Sequence, residues 1–130
     1  MIIFGHRFID SEPLYHVLSV EAISNTPSSA TVYIEFVEAN LDIIKHASDN
    51  GVAFALSVNN VTEIIYASSL NASYIIVSKE LAKIAQKIAN DYLFDAKILV
   101  NIEDESEIEE LAILGVDGVI FSNAIIKVNS

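Results

Sequence analysis

The chain has 130 residues, no cysteine, and 18 acidic against 7 basic side chains, a formal net charge of −11. That length fits one domain of common size, and a mean hydropathy of +0.45 is far from that of a disordered chain. The acidic excess opposes nucleic-acid phosphates and anionic lipid heads. The missing cysteines exclude disulfides, thiolate metal sites and a cysteine nucleophile, and suit a reducing cytoplasm.

The first 30 residues are irregular. Ile2–Ile9 reads as a strand, and Leu14–Leu18 as a second strand or a helix start. Residues 20–25 read as briefly helical, and Thr26-Pro27-Ser28-Ser29 as a turn. The opening is too short and too polar for a signal-peptide core. No apolar window is long enough for a transmembrane helix.

From residue 31 to 123 the pattern is regular. Apolar runs begin at Thr31, Val52, Ser73, Ala96 and Val116, about 20 residues apart. Several are apolar on both faces, as covered parallel strands are. Helices are predicted between them, over 41–49, 61–70, 79–93 and 105–114. Asn50-Gly51 and Gly115 supply stops. Asn60 with Glu63, and Asp104 with Glu107, have capping-box spacing. In the third helix Leu81, Ile84, Ala85, Ile88, Ala89 and Tyr92 form one apolar stripe.

Strand–helix alternation with short connections predicts parallel pairing and right-handed crossovers in a single α/β domain over 1–130. Eight βα units need more chain than this. The expected fold is a five- or six-stranded, flavodoxin-like open sheet; the alternative is half of a TIM-type barrel. An exposed edge strand in either makes a homodimer the expected assembly.

In such folds ligands bind beyond the carboxyl ends of the strands. Glu35, Asn59, Lys79, Asn101, Ser122 and Asn123 fall there, with Glu38, Ser57, Asn60, Ser78, Glu103 and Asp104 beside them. Amides, hydroxyls and acids of this kind suit a small polar ligand. Asn40, Asn60, Ser78, Asp104 and Ser122 or Asn123 equally suit helix caps. Lys79, Lys83 and Lys87 form an i, i+4, i+8 ridge, and the helix start at 103–110 is densely acidic. These two features could pair with each other or meet a protein partner. The ridge is too small for a nucleic-acid site. No P-loop, G-x-G-x-x-G, G-x-S-x-G or HExxH occurs. His6, His16 and His46 lack metal-ligand spacing, so no metal or cofactor is expected.

The stretch Leu114-Gly-Val-Asp-Gly-Val-Ile-Phe-Ser-Asn-Ala-Ile-Ile-Lys127 resembles the closing βα unit of phosphate-handling barrels, such as the tryptophan synthase α subunit. Ser122-Asn123-Ala124 stands where that family has a phosphate-binding Gly-Ser-Ala turn. The same region is similar to glycerophosphodiester phosphodiesterases, whose first strand ends in His-Arg-Gly. Here Ile2-Ile-Phe-Gly-His6-Arg7 is followed by Phe8, and their Glu-x-Asp metal pair would fall at Glu35 and Val37. The resemblance implies βα architecture. It also implies a possible phosphorylated ligand held by Arg7, Lys79, Ser122 and Asn123, with His6 as acid–base candidate. With no nucleophile–base pair, metal cluster or phosphate loop, the first reading is non-catalytic: a homo-oligomeric interaction or ligand-binding module. The runner-up is a shortened barrel that binds or hydrolyses a phosphorylated small molecule.

Overall fold

The structure, a computed structural model, describes residues 1–128. Among these residues eight strands form one sheet: β1 (Ile2–Phe4), β2 (Leu14–His16), β3 (Thr31–Glu35), β4 (Phe54–Ser57), β5 (Tyr74–Val77), β6 (Lys97–Ile102), β7 (Gly118–Phe121) and β8 (Ile125–Lys127). Five α-helices accompany them: α1 (Val20–Ile23), α2 (Leu41–Asp49), α3 (Val61–Ser69), α4 (Ala82–Asp91) and α5 (Ile108–Leu114). None is long and apolar enough to cross a membrane.

Local chemistry explains the helix ends. Asn60 Oδ1 accepts from the Glu63 N–H at 2.9 Å. Asp104 and Glu107 form a complete capping box. The expected cap roles of Asn40 and Ser78 do not form, because a 3₁₀ turn precedes each α-helix there. Asn40 instead donates to the Glu35 carbonyl. The αL conformation of Gly115, φ 89°, ends α5.

Every pairing is parallel, in the order β1-β7-β6-β5-β4-β3-β2-β8. The five- or six-stranded open sheet is therefore not what forms; the sheet curls into a half-barrel. The β7–β8 connection shows why. In a flat sheet these strands would lie six spacings of about 4.8 Å apart, roughly 29 Å. Only Ser122–Ala124 joins them, and a link of that length spans at most about 14 Å. β7 pairs with β1 and β6, and β8 with β2, so the jog between them draws the two ends of the sheet together. Asn123 Nδ2 fixes the jog by donating to the Gly5 carbonyl at 3.0 Å.

The curl makes two cores. Inside, each of β1–β7 contributes one buried residue, Phe4, Leu14, Tyr33, Ala55, Ile76, Leu99 and Ile120, with Ile2, Tyr74 and Ile125 partly buried against them. The Phe4 and Tyr74 rings meet edge-on, centroids 5.5 Å apart, although two strands separate theirs in the sheet. Outside, Ile34, Leu56, Ile75, Ile98 and Val100 pack against Ile44, Ile64, Ala85 and Leu111 of the helices.

The apolar stripe expected on the third helix is rotated. Ala82, Ala85, Gln86 and Ala89 face the sheet, whereas Ile84 and Tyr92 are exposed. Alanines let α4 approach closely, and Gln86 has a polar task. Its Oε1 accepts from the Asp117 N–H at 2.9 Å, and its Nε2 donates to Asn90 at 3.0 Å. Asp117 in turn accepts from the N–H groups of Ile98 and Ile2. Gln86→Leu would nearly keep the volume but orphan the partly buried Asp117 N–H. We expect it to cost about 1–3 kcal/mol, read as a lower urea midpoint with an unchanged m-value; an unchanged midpoint would refute this role.

Candidate functional site

Parallel strands put all their carboxyl ends at one mouth. Two residues beyond the inner apolar layer, the alternation of each strand brings another side chain to the inner face. Around β8, β2, β3, β4, β5 and β6 these are Lys127, His16, Glu35, Ser57, Ser78 and Asn101. A polar ring thus crowns an apolar barrel interior.

Over β4, β5 and β6 the mouth opens into a cleft of about 430 Å³, floored by Ile76 and walled by Ser57, Asn59, Ser78 and Asn101, with Lys79, Glu80, Glu103 and Glu107 at its edge. The side chains of Ser57, Asn59, Ser78 and Asn101 make no hydrogen bond to the described residues. Asn59 is held through its backbone, whose N–H donates to Glu63 Oε1 at 2.9 Å. The charged groups are engaged. Lys79 lies 3.3 Å from Glu110 and 3.7 Å from Glu107. The contact with Glu110, then the charge of Glu107, holds its ammonium above the usual lysine value. Glu107 also accepts from the N–H groups of Glu103 and Asp104.

His6 and Arg7 lie in a neighbouring cleft that shares Glu103. Gly5, at φ 94°, interrupts the strand alternation, and His6 packs against Phe121 and Phe8. Its Nε2 lies 2.6 Å from Glu105, and its Nδ1 accepts the Phe8 N–H at 3.1 Å. A neutral ring with its proton on Nε2 satisfies both contacts. Arg7 lies 3.7 Å from the same carboxylate and over the Phe8 ring. The His6 hydrogen bond, followed by the Arg7 charge, holds the Glu105 carboxyl below its ordinary value. Ser122 Oγ donates to Glu103 at 2.7 Å.

The sequence-derived residues therefore divide into groups. Asn59, Lys79 and Asn101 meet at the open cleft. His6, Arg7 and Ser122 gather around Glu103 and Glu105. Asn123 is a structural latch on Gly5. Glu35 does not line the cleft; it sits between Ser57, its register partner, and His16 in the ring. His6, Arg7 and Lys79 share one end of the sheet, each facing acids of the 103–110 segment. In the lysine ridge, Lys79 pairs with that segment, whereas Lys87 pairs with Asp91 on its own helix.

His16 and Lys127 are ring members that sequence reasoning missed. Their signal is the short alternation Leu14-x-His16 and Ile125-x-Lys127. His16 packs edge-on to Tyr33, and its Nε2 is buried without a hydrogen-bond partner among the described residues. Burial pushes the imidazole below its ordinary value; Glu35 opposes this and Lys127 adds to it. The folded state thus binds this proton less readily than the unfolded chain. The His16 contribution is complete above the ordinary value of about 6.5. It falls as pH drops from there towards the depressed folded value. We expect stability to decline as pH falls through about 6.5 and below, and His16→Gln to flatten that decline in urea titrations. An equal slope in the variant would assign the decline to other groups.

Among the described residues, no three His, Asp or Glu side chains are grouped to hold a metal ion. Comparison with known protein families and with characterised proteins finds no match to this chain. What the fold and site define is a class only: a curled parallel α/β domain with a polar mouth.

Proposed function

We propose that this chain is a non-catalytic, cytoplasmic α/β module that binds a small polar molecule at the mouth of its curled sheet. The observation that carries the reading is a division of labour among the mouth residues. Ser57, Asn59, Ser78 and Asn101 line a cleft with hydrogen-bonding capacity to spare. The groups suited to acid–base chemistry or anion binding are occupied: His6 and Arg7 by Glu105, Lys79 by Glu107 and Glu110. The runner-up, a barrel-like enzyme for a phosphorylated molecule, needs His6 or these cations released from their carboxylates.

Self-association is a second reading with its own observation. Tyr92, Leu93 and Ile113 are strongly exposed just beyond or within the last turns of α4 and α5. Exposed apolar groups of this size are common at contacts between chains. A native mass spectrum of the purified chain tests both readings. A retained small-molecule adduct supports the ligand site. A bare dimer would move the function to the interaction surface, and a bare monomer that takes up no added ligand would contradict both.

A further inference from the structure

We propose that the cleft over β4, β5 and β6 takes an uncharged, hydroxyl-bearing small molecule and turns phosphorylated ones away. This rests on the reading of the mouth as a ligand site and adds the chemistry of the ligand. The free groups of the cleft are two hydroxyls, Ser57 and Ser78, and two carboxamides, Asn59 and Asn101. Each such side chain both donates and accepts. Their natural complement is a group that also does both, and a ligand hydroxyl is the simplest. The aliphatic floor at Ile76 suits the C–H face of such a molecule.

Charge supplies the exclusion. Glu80, Glu103 and Glu107 border the cleft against a single cation, Lys79. That cation already faces two carboxylates, Glu107 and Glu110. A phosphate would enter a region of net negative charge with no uncommitted positive group to meet it. An ammonium is a poorer match than a hydroxyl, because it only donates. It would leave the acceptor side of the four free groups in use and their donors unmatched, and of the bordering carboxylates Glu107 is engaged through both oxygens and Glu103 through one.

The test is an NMR titration of the full ¹⁵N-labelled chain with four probes: myo-inositol, glucose, glucosamine and glucose 6-phosphate. The inference expects saturable shifts at the amides of Ser57 and Ser78 and the side-chain NH₂ groups of Asn59 and Asn101 with the neutral probes. Glucose 6-phosphate should bind roughly tenfold more weakly than glucose. Asn101→Ala should abolish the neutral-probe shifts while the rest of the spectrum keeps its native dispersion. Glu80→Lys, at an exposed lip position, should narrow the gap between glucose and its phosphate. Tighter binding of glucose 6-phosphate or of glucosamine at these residues would overturn the ligand class and leave the site standing. Absence of saturable shifts at these residues with all four probes would overturn the site reading as well.

Discussion

Gly118→Ala is expected to lower the melting temperature by roughly 10 °C, the scale set by a few kcal/mol in a domain of this size. A Cβ at Gly118 would lie 2.6 Å from the Ile2 carbonyl oxygen, 2.7 Å from Ile2 Cβ and 2.8 Å from Leu99 Cδ2. The first of these is backbone of the paired strand β1 and cannot swing aside. Relief would require β1 to move off β7, which would disturb the pairing of Ile2–Phe4 with Gly118–Ile120. A differential scanning calorimetry trace with an unchanged midpoint would show that β1 does not sit against β7 in this register.

Leu99→Ala should cost about 2–5 kcal/mol, the usual range for removing a buried leucine. Leu99 is fully buried at the centre of the inner core, and the interior has little means of collapsing around the void. The two substitutions share a contact, so they should not add. In the double variant the shortened side chain removes the clash at Leu99 Cδ2 but not that at the Ile2 carbonyl. The combined loss should therefore fall short of the sum, as urea denaturation of the four proteins would show. Strict additivity would mean that residues 99 and 118 do not touch.

These two positions also explain a motif that the sequence presents as a resemblance. In Gly115-Val-Asp-Gly-Val-Ile120 each polar or glycine position has a structural task. Gly115 takes the left-handed turn that ends α5, Asp117 satisfies the starts of β1 and β6, and Gly118 admits β1 at close range. The pattern records how a helix re-enters a tightly packed parallel sheet. That need arises whether or not phosphate chemistry follows.

Much of the fold is legible from local signals. The span 41–49 is read to the residue, because Asn50-Gly51 stops it and its apolar period is clean. Strands β3 to β7 are found because they are largely buried and rich in valine and isoleucine. The curl is legible only as the alternative, half of a TIM-type barrel, because it depends on β8. Ile125–Lys127 shows a single step of alternation, too little to mark a strand, and its pairing with Leu14–His16 joins positions more than a hundred residues apart. Without β8 the ring has no visible closure, and an open sheet is the natural expectation.

The site follows the same division. Asn59 and Lys79 are found by counting past strand ends, and Asn101 by its place in the last two residues of β6. Lys127 is missed with its strand, and His16 because its segment reads equally as strand or helix start. The positive φ of Gly5 turns His6 towards Glu105, a partner far away in sequence. The tight hold of that carboxylate on the ring becomes visible only in three dimensions.

The reading of the mouth stands or falls with the curl, and one measurement reaches it directly. In a flat sheet, β1 and β5 would lie three spacings, roughly 14 Å, apart. In the curled sheet the Phe4 and Tyr74 rings are in edge-on contact. A nuclear Overhauser spectrum of the labelled protein should show strong cross-peaks between these two rings, and between Leu14 and Ile125 on the paired strands β2 and β8. Their presence would establish the enclosed interior and the polar ring above it. Their absence, with the β4–β5 and β5–β6 cross-peaks intact, would mean an open sheet, with the ring of Lys127, His16, Glu35, Ser57, Ser78 and Asn101 dispersed along its edge.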